Sequence, residues 1–411
     1  MQKTLRLKYA CYMSNITMSA VSNLSPVLFL TFRALYGISY SSLGLLVLIN
    51  FVTQLTVDLI FSLFSHKFNI PKTVKAIPVI ATVGFLIYAL WPMLLPESAY
   101  TGLVLGTLIF SAASGFNEVL LSPVIASIPS EDPDRELSKL HSVYAWGVVF
   151  IIVVSTLFLL VAGHENWPFL ALLFTLLPVI SGVLFAGSHI PHMETPKQTS
   201  AALKLLASRE VWLFVFAIFL GGAAECAMAQ WSSGYLEQAF GMDKLWGDLL
   251  GVALFSVMLG LGRSLYAARG KNIGKVLTLG AIGTTACYIL IALTATPWLG
   301  LLACVFSGFF VSMCWPGNLM IASRKFPESG VFIFAMMAAG GDLGASVVPQ
   351  LVGIVTDKVM ANPTAQSLAV RLSMTSEQLG MRAGMLCGML FPLIAIFVYL
   401  YIWRRKTPTT E

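Results

Sequence analysis

Three carboxylates in this sequence stand where charge is costly. Glu118, Glu225 and Asp342 each lie deep inside a long apolar run, and ionisable groups in such runs mark ion or substrate pathways when they face a cavity or a partner. The chemistry open to them is to take up and release a proton. Ser111, Ser114, Gly115, Glu118 and Ser122 recur at three- and four-residue steps, so they share one helix face. A small polar stripe carrying a carboxylate suits a wet cavity; the alternative is a carboxyl paired to another helix. Glu225 follows Gly221 and Gly222, with Gln230 and Trp231 beyond it. It reads either as a coupling or substrate carboxylate beside an aromatic platform, or as a helix–helix hydrogen bond with Trp231 as an interfacial anchor. Asp342 is set among Ala338, Ala339, Gly340, Gly341, Ala345 and Ser346, with Pro349 after it. That surround predicts a close-packed helix in which Asp342 takes part in transport, caps a break or pairs with a donor. The three are the expected proton-coupling residues.

Two further charges, Asp58 and Arg263, sit near the ends of their apolar runs. They read as gate charges or as side chains that snorkel to the interface. Uncharged polar and aromatic residues complete the set. Tyr12, Asn15, Ser19 and Ser22 share a face, with Asn23 beside it; Asn117 precedes Glu118; His141, Tyr144 and Trp146 follow one another; and Trp315 and Asn318 flank Pro316-Gly317. Amides bond hydroxyls, and flat rings stack on the C–H faces of sugars. Asn15, Asn23, Asn117, Tyr144, Gln230, Trp231, Trp315 and Asn318 are the expected substrate-binding residues, each with helix packing as its alternative. For His141 the plain reading is a solvated histidine.

The elements that must hold these residues follow from composition. Of the 411 residues, 57% are hydrophobic and 11% charged, against about 25% charged in a soluble domain. The chain lacks the charge to cover itself with a watery surface, so its outside faces lipid. A net charge of +6 is spread between apolar runs with no basic patch, which argues against nucleic acid as a partner. A spanning helix needs about 20 mostly apolar residues. Such segments run over Tyr9–Phe32, Ser42–Phe64, Ala76–Leu95, Thr101–Ile128, Leu140–Val161, Pro168–Gly187, Val211–Tyr235, Trp246–Ala267, Lys275–Ala295, Leu299–Ser323, Val331–Asp357 and Arg382–Trp403. The predicted fold class is an all-α membrane protein of twelve spans. Lys3, Arg6 and Lys8 precede the first run as in a signal peptide, but Asn15, Ser19, Ser22 and Asn23 interrupt it, so a retained helix is expected. Basic residues gather in alternate loops: Lys67, Lys72 and Lys75; Arg135 and Lys139; Lys197, Lys204 and Arg209; Arg269, Lys271 and Lys275; Arg324 and Lys325. By the positive-inside rule these loops and both termini are cytoplasmic. The opposite side has little beyond Arg33, Lys244, Lys358, Arg371 and Arg382.

An internal repeat divides the chain. His66-Lys67-Phe68-Asn69-Ile70-Pro71-Lys72 follows span two, and Arg269-Gly270-Lys271-Asn272-Ile273-Gly274-Lys275 follows span eight; Asn, Ile and the last Lys coincide. Ser114-Gly115-Phe116 with Pro123 in span four recurs as Ser307-Gly308-Phe309 with Pro316 in span ten. Both matches pair a span with the one six later. The expected organisation is an N-terminal six-helix half over 1–189, a cytoplasmic loop over 190–209 and a C-terminal half over 210–411. Repeated halves with a site at the midplane are a transporter plan.

Twelve spans in two halves, the long central loop and the basic loop between spans two and three resemble the major facilitator superfamily along nearly the whole chain. Against that family's loop signature, Asp58 lies upstream, His66 stands at the acidic position and Asn69 stands where Gly is usual. Asn tolerates the left-handed backbone of a tight turn. Gly262-Arg263 is similar to the matching gate position of the second half. Glu118 and Gly341-Asp342-Leu343-Gly344 resemble the fucose- and glucose-type sugar:proton symporters, although that branch's acidic residue in span one is replaced here by Asn15 and Asn23. The resemblance implies alternating access, a small-molecule substrate, a proton or other ion gradient as energy source, no cofactor and a monomer sufficient for function.

Other motifs fall away. Gly270–Lys275 is one residue short of a Walker A loop and lacks its Ser/Thr. Asn15-Ile16-Thr17 lies inside a span, out of reach of glycosylation. Cys11, Cys226, Cys287, Cys304, Cys314 and Cys387 all fall in apolar runs without C-x-x-C spacing, so neither a disulfide framework nor a metal site is expected. No nucleophile elbow or zinc-protease motif points to an enzyme, and no soluble signalling domain points to a sensor. The expected function is proton-coupled symport of a small polar solute, a sugar foremost, in a bacterial inner membrane. The alternative is an exporter of drugs or metabolites with a larger apolar cavity, against which the amide- and serine-rich faces weigh.

Overall fold

The computed structural model describes residues 2–38, 40–191, 193, 204–241, 247–329 and 331–404. Most of the central loop, including His192 and Lys197, lies outside the described residues, as do Lys244, Trp246, Arg405 and Lys406. The described chain is almost wholly helical. Among the described residues, ten helical segments are long and apolar enough to cross a membrane, and these are spans three to twelve. Span one is the helix Gln2–Tyr36 and span two is Tyr40–Phe64, whose shorter apolar stretch is Leu45–Phe61. The fold is therefore the expected all-α, twelve-span membrane fold.

Several helices outrun their apolar stretches because polar residues cap them. Span three (Ile70–Leu94) starts behind Asn69. Span four is Ala99–Ala126. Span five (Pro133–Ala162) begins one turn or more before the apolar run, with Asp132 accepting from the Arg135 amide and Pro133 at the first position; proline fits there because that N–H has no helical partner. Span twelve (Ser376–Arg404) is opened by a reciprocal box. The Gln378 amide donates to Thr375 Oγ1 and the Thr375 amide to Gln378 Oε1, both at 3.1 Å. Between spans eleven and twelve lies a short helix, Pro363–Arg371, capped by Asn362.

The remaining spans carry interruptions. Span six runs as Trp167–Phe174 and Leu176–Ala186, with Pro178 just beyond the joint. Span seven is one helix, Arg209–Phe240. Span eight opens with a π-helical turn over Gly247–Ala253 and continues as Leu254–Arg269. Span nine is Ile273–Leu293. Span ten is broken into Pro297–Val311 and Cys314–Lys325. Span eleven is Val331–Ala361.

The chain packs as two compact units, residues 1–208 with 326–339, and residues 209–325 with 340–411. The first has an aromatic core at one end, where fully buried Trp167 meets Phe32 edge-on at 4.9 Å and Tyr88 at 5.8 Å. In the second, Ala223 and Ala227 of span seven pack on Val348 and Val352 of span eleven.

The repeat has a physical basis. Asn69 Oδ1 accepts from the Lys72 amide at 3.1 Å, and Asn272 Oδ1 from the Lys275 amide at 3.2 Å. Each asparagine thus caps the helix after it. Asn69 does so from an extended backbone (φ −80°), so capping, not a left-handed turn, explains it. Its counterpart Asn272 is the residue that takes the left-handed conformation (φ 54°). The glycines of the second repeat do the same work in each unit. Span four packs on span two at Gly115, and span ten on span eight at Gly308, where a side chain would meet the Phe255 carbonyl.

Candidate functional site

In the first unit, spans two and four face each other through three polar rungs. Asn50, Gln54 and Asp58 are buried and stand one turn apart on span two. Ser111 donates to Asn50 Oδ1 at 2.6 Å, and Ser114 to Gln54 Oε1 at 3.0 Å. At the third rung, carboxylate oxygens of Asp58 and Glu118 lie within 4.8 Å of each other. Gly115 allows the approach, since a β-carbon there would sit 2.9 Å from Val57 Cβ. The serine stripe of span four therefore packs on span two, and Asp58 stands with Glu118. Asn50 and Gln54 escaped the sequence reading, though their four-residue spacing to Asp58 was a signal.

Span one is tied to this pair of helices and to span five. Ser14 donates to Asn117 Oδ1 at 2.7 Å, and Asn117 returns a bond to the Ser14 carbonyl at 3.2 Å. Asn15 donates to the Leu140 carbonyl at 2.7 Å. Ser19 donates to the Tyr144 carbonyl at 2.8 Å, and half-buried Asn23 donates to the Ser19 carbonyl at 2.8 Å. Asn15 and Asn117 are buried helix ties; Asn23 and the Tyr144 ring stay half-buried. His141 is half-buried too, its Nε2 at 3.3 Å from the Ser122 hydroxyl.

In the second unit the structure brings Glu225 and Arg263 together. Arg263 Nη2 lies 3.0 Å from both carboxylate oxygens, and the side chains are 2% and 13% exposed for Arg263 and Glu225. Two opposite charges at that depth compensate each other. Nε of the same guanidinium donates to the Ser312 carbonyl at 2.9 Å. That carbonyl is free because Pro316, four residues on, has no N–H to give it. Gly262 beside Arg263 lets span eight approach the break, as a side chain there would run into Ser312. Arg263 so links spans seven, eight and ten.

Just past the break, Trp315 is half-buried. Its ring edge lies against Gly341 of span eleven, where a side chain would collide with it, and close to Gly222 of span seven, which itself packs on the Gly341 carbonyl. Asp342 follows Gly341, is buried, and gives its backbone carbonyl to the Ser346 hydroxyl at 2.7 Å. Asn318 is fully buried and donates to the Cys314 carbonyl at 2.5 Å and the Tyr399 hydroxyl at 3.0 Å. Trp231 donates its indole N–H to the Pro349 carbonyl at 2.9 Å, while Gln230 is exposed. Ser312 and Tyr399 had no motif to announce them.

No curated protein matches the chain at a significant level. Solved structures do share its fold. Two are of FucP, one in an outward conformation and one described as the E. coli fucose:proton symporter. Their TM-scores are 0.73 and 0.70 at 15% identity, covering 95% and 96% of this chain and 98% and 99% of theirs. The proton:xylose symporter XylE has TM-score 0.70 at 13% identity, covering 99% of this chain and 96% of that one. The human organic anion transporter MFSD10 has TM-score 0.69 at 11% identity, covering 97% and 98%. Identities this low speak to fold alone. The family model described as "Major Facilitator Superfamily" matches residues 10–349. With twelve spans, two repeated sets of packing contacts and that match over most of its length, the chain belongs to the major facilitator superfamily.

Proposed function

We propose that this transporter is a proton-coupled symporter of a small polar solute, a sugar foremost, working by alternating access. The observation that carries the reading is the Asp58–Glu118 pair. Two carboxylates within 4.8 Å, both ionised, repel by about 3.5 kcal/mol at an effective dielectric constant near 20. One shared proton removes that cost, and Glu118 is its carrier. Asn23 and Tyr144 in the first unit and Trp315 in the second are the half-buried groups offered to the solute. Fucose:proton and proton:xylose symporters among the structural neighbours support the class. The setting is a bacterial inner membrane with both termini cytoplasmic and a monomer as the working unit.

The test is solute uptake into proteoliposomes under an imposed pH gradient, after a thermal-shift screen of hexoses, deoxysugars, nucleosides, carboxylates and lipophilic cations. A ligand that binds the folded state alone raises the melting temperature. A sugar hit accumulated only with the gradient, and merely equilibrated by Glu118→Gln, is the expected result. Hits restricted to lipophilic cations or organic anions would replace the symporter with the exporter. Gradient-driven accumulation that survives Glu118→Gln would remove Glu118 from the proton path.

A further inference from the structure

The break in span ten is held by a side chain from another span. Pro316 leaves the Ser312 carbonyl without its helical donor. Arg263 Nε supplies one at 2.9 Å, while Nη2 of the same guanidinium is anchored on both oxygens of Glu225 at 3.0 Å. Three residues beyond Ser312, the Trp315 ring lies over Gly341 beside its contact with Gly222. The backbone at 312–314 leads directly into that ring, and Arg263 makes its bond to that backbone at Ser312.

We propose that Arg263 is a positioning residue: with Glu225 as its anchor, it holds the Ser312 carbonyl and so aims Trp315 at the solute. This rests on the reading above that Trp315 faces the solute. The guanidinium is suited to the task because its fork reaches two partners in fixed directions. A lysine keeps the charge but carries it on a single nitrogen at the end of a flexible stem, so it lacks the two fixed directions that hold Glu225 and Ser312 together.

The break has its own reporter, since Cys314 opens the helix that follows it and is buried, as are Cys11, Cys287 and Cys304. Cys226 and Cys387 are half-buried and are changed to Ser to form the background. In that background, in detergent, maleimide labelling of Cys314 is timed for the parent, Arg263→Lys and Arg263→Lys/Pro316→Ala. Alanine at 316 restores an N–H to the Ser312 carbonyl, so it substitutes for the lost hold. Losing a hydrogen bond to a charged group is worth about tenfold or more in an opening equilibrium. The expected result is labelling about tenfold faster in Arg263→Lys and near the parent rate in the double variant. In proteoliposomes, Arg263→Lys raises the half-saturating concentration of the solute found in the screen and keeps most of the maximal rate, as Trp315→Ala does. Parent-like labelling in Arg263→Lys overturns the proposal. So does faster labelling with an unchanged half-saturation in Arg263→Lys while Trp315→Ala raises it. If neither variant shifts half-saturation but Cys314 is unmasked, Trp315 leaves the solute site and the hold of Arg263 on the break stands.

Discussion

The two asparagine caps make opposite demands on the backbone, and that difference can be measured. Asn69 and Asn272 each accept one amide hydrogen of the helix that follows, at 3.1 and 3.2 Å. Replacing a capping asparagine by alanine costs about 1 kcal/mol, and that is the whole expected effect of Asn69→Ala. Asn272 also sits at φ 54°, where asparagine offsets part of the roughly 1–2 kcal/mol cost of a β-carbon by local hydrogen bonding and alanine offsets none, so Asn272→Ala loses about 2 kcal/mol. Glycine at a cap costs only a few tenths of a kcal/mol relative to asparagine and has no penalty at positive φ. Since about 1 kcal/mol moves the midpoint by roughly 2–4 °C in a unit of 150–250 residues, Asn69→Ala melts about 2–4 °C early and Asn272→Ala roughly 4–8 °C early. Asn272→Gly stays within about 1–2 °C of the parent. Thermal ramps of detergent-purified variants at one scan rate, followed by tryptophan fluorescence, supply the comparison. Equal losses in the two alanine variants, or an Asn272→Gly as unstable as Asn272→Ala, would refute the reasoning.

Tyr399→Phe removes a hydroxyl that donates to the Ala217 carbonyl at 3.1 Å and accepts from Asn318 at 3.0 Å; the stranded buried partners predict a loss of about 1–3 kcal/mol, read as a lower melting midpoint. Glu136 bridges Lys8 at 2.6 Å and Lys139 at 2.7 Å, so Glu136→Gln is expected to cost about 1 kcal/mol or less. Its deficit against the parent narrows as salt is raised, because ions screen such pairs; a deficit independent of salt would contradict that. Gly308→Ala brings a methyl onto the Phe255 carbonyl, a backbone atom with nowhere to go, and is expected to cost about 1–3 kcal/mol. A melting point equal to the parent's would mean that spans eight and ten are not packed so closely.

Apolar length alone located the spans, because lipid imposes it residue by residue. It missed what polar residues add at the ends: the start of span five behind Asp132 and of span twelve behind Thr375 both lie in charged stretches that hydropathy reads as loop. The repeat was legible as matching letters, but its meaning was not. Only the backbone tells that Asn69 caps from an extended conformation while Asn272 caps from a left-handed one. The candidate site was legible as residue types and blind as to partners. Glu118, Glu225, Asp58 and Arg263 stood out because charge is rare in such runs. Which pairs with which depends on helix rotation and register, and a single sequence carries neither. Asn50 and Gln54 went unremarked because two amides barely dent the hydropathy of span two, and Ser312 because its contribution is a backbone carbonyl.

The three rungs between spans two and four constrain how the first unit can move. Asn50, Gln54 and Asp58 repeat every four residues, about 6 Å along the helix axis. A slide of span two by less than that breaks every rung together. A slide by one full repeat sets Asp58 opposite a serine that holds an amide, or Gln54 opposite Glu118, and either way undoes the Asp58–Glu118 rung. Neither outcome offers a stable halfway position. Spans two and four are therefore one mechanical piece: whatever surfaces part and close as solute crosses, the seam between these two helices is not among them.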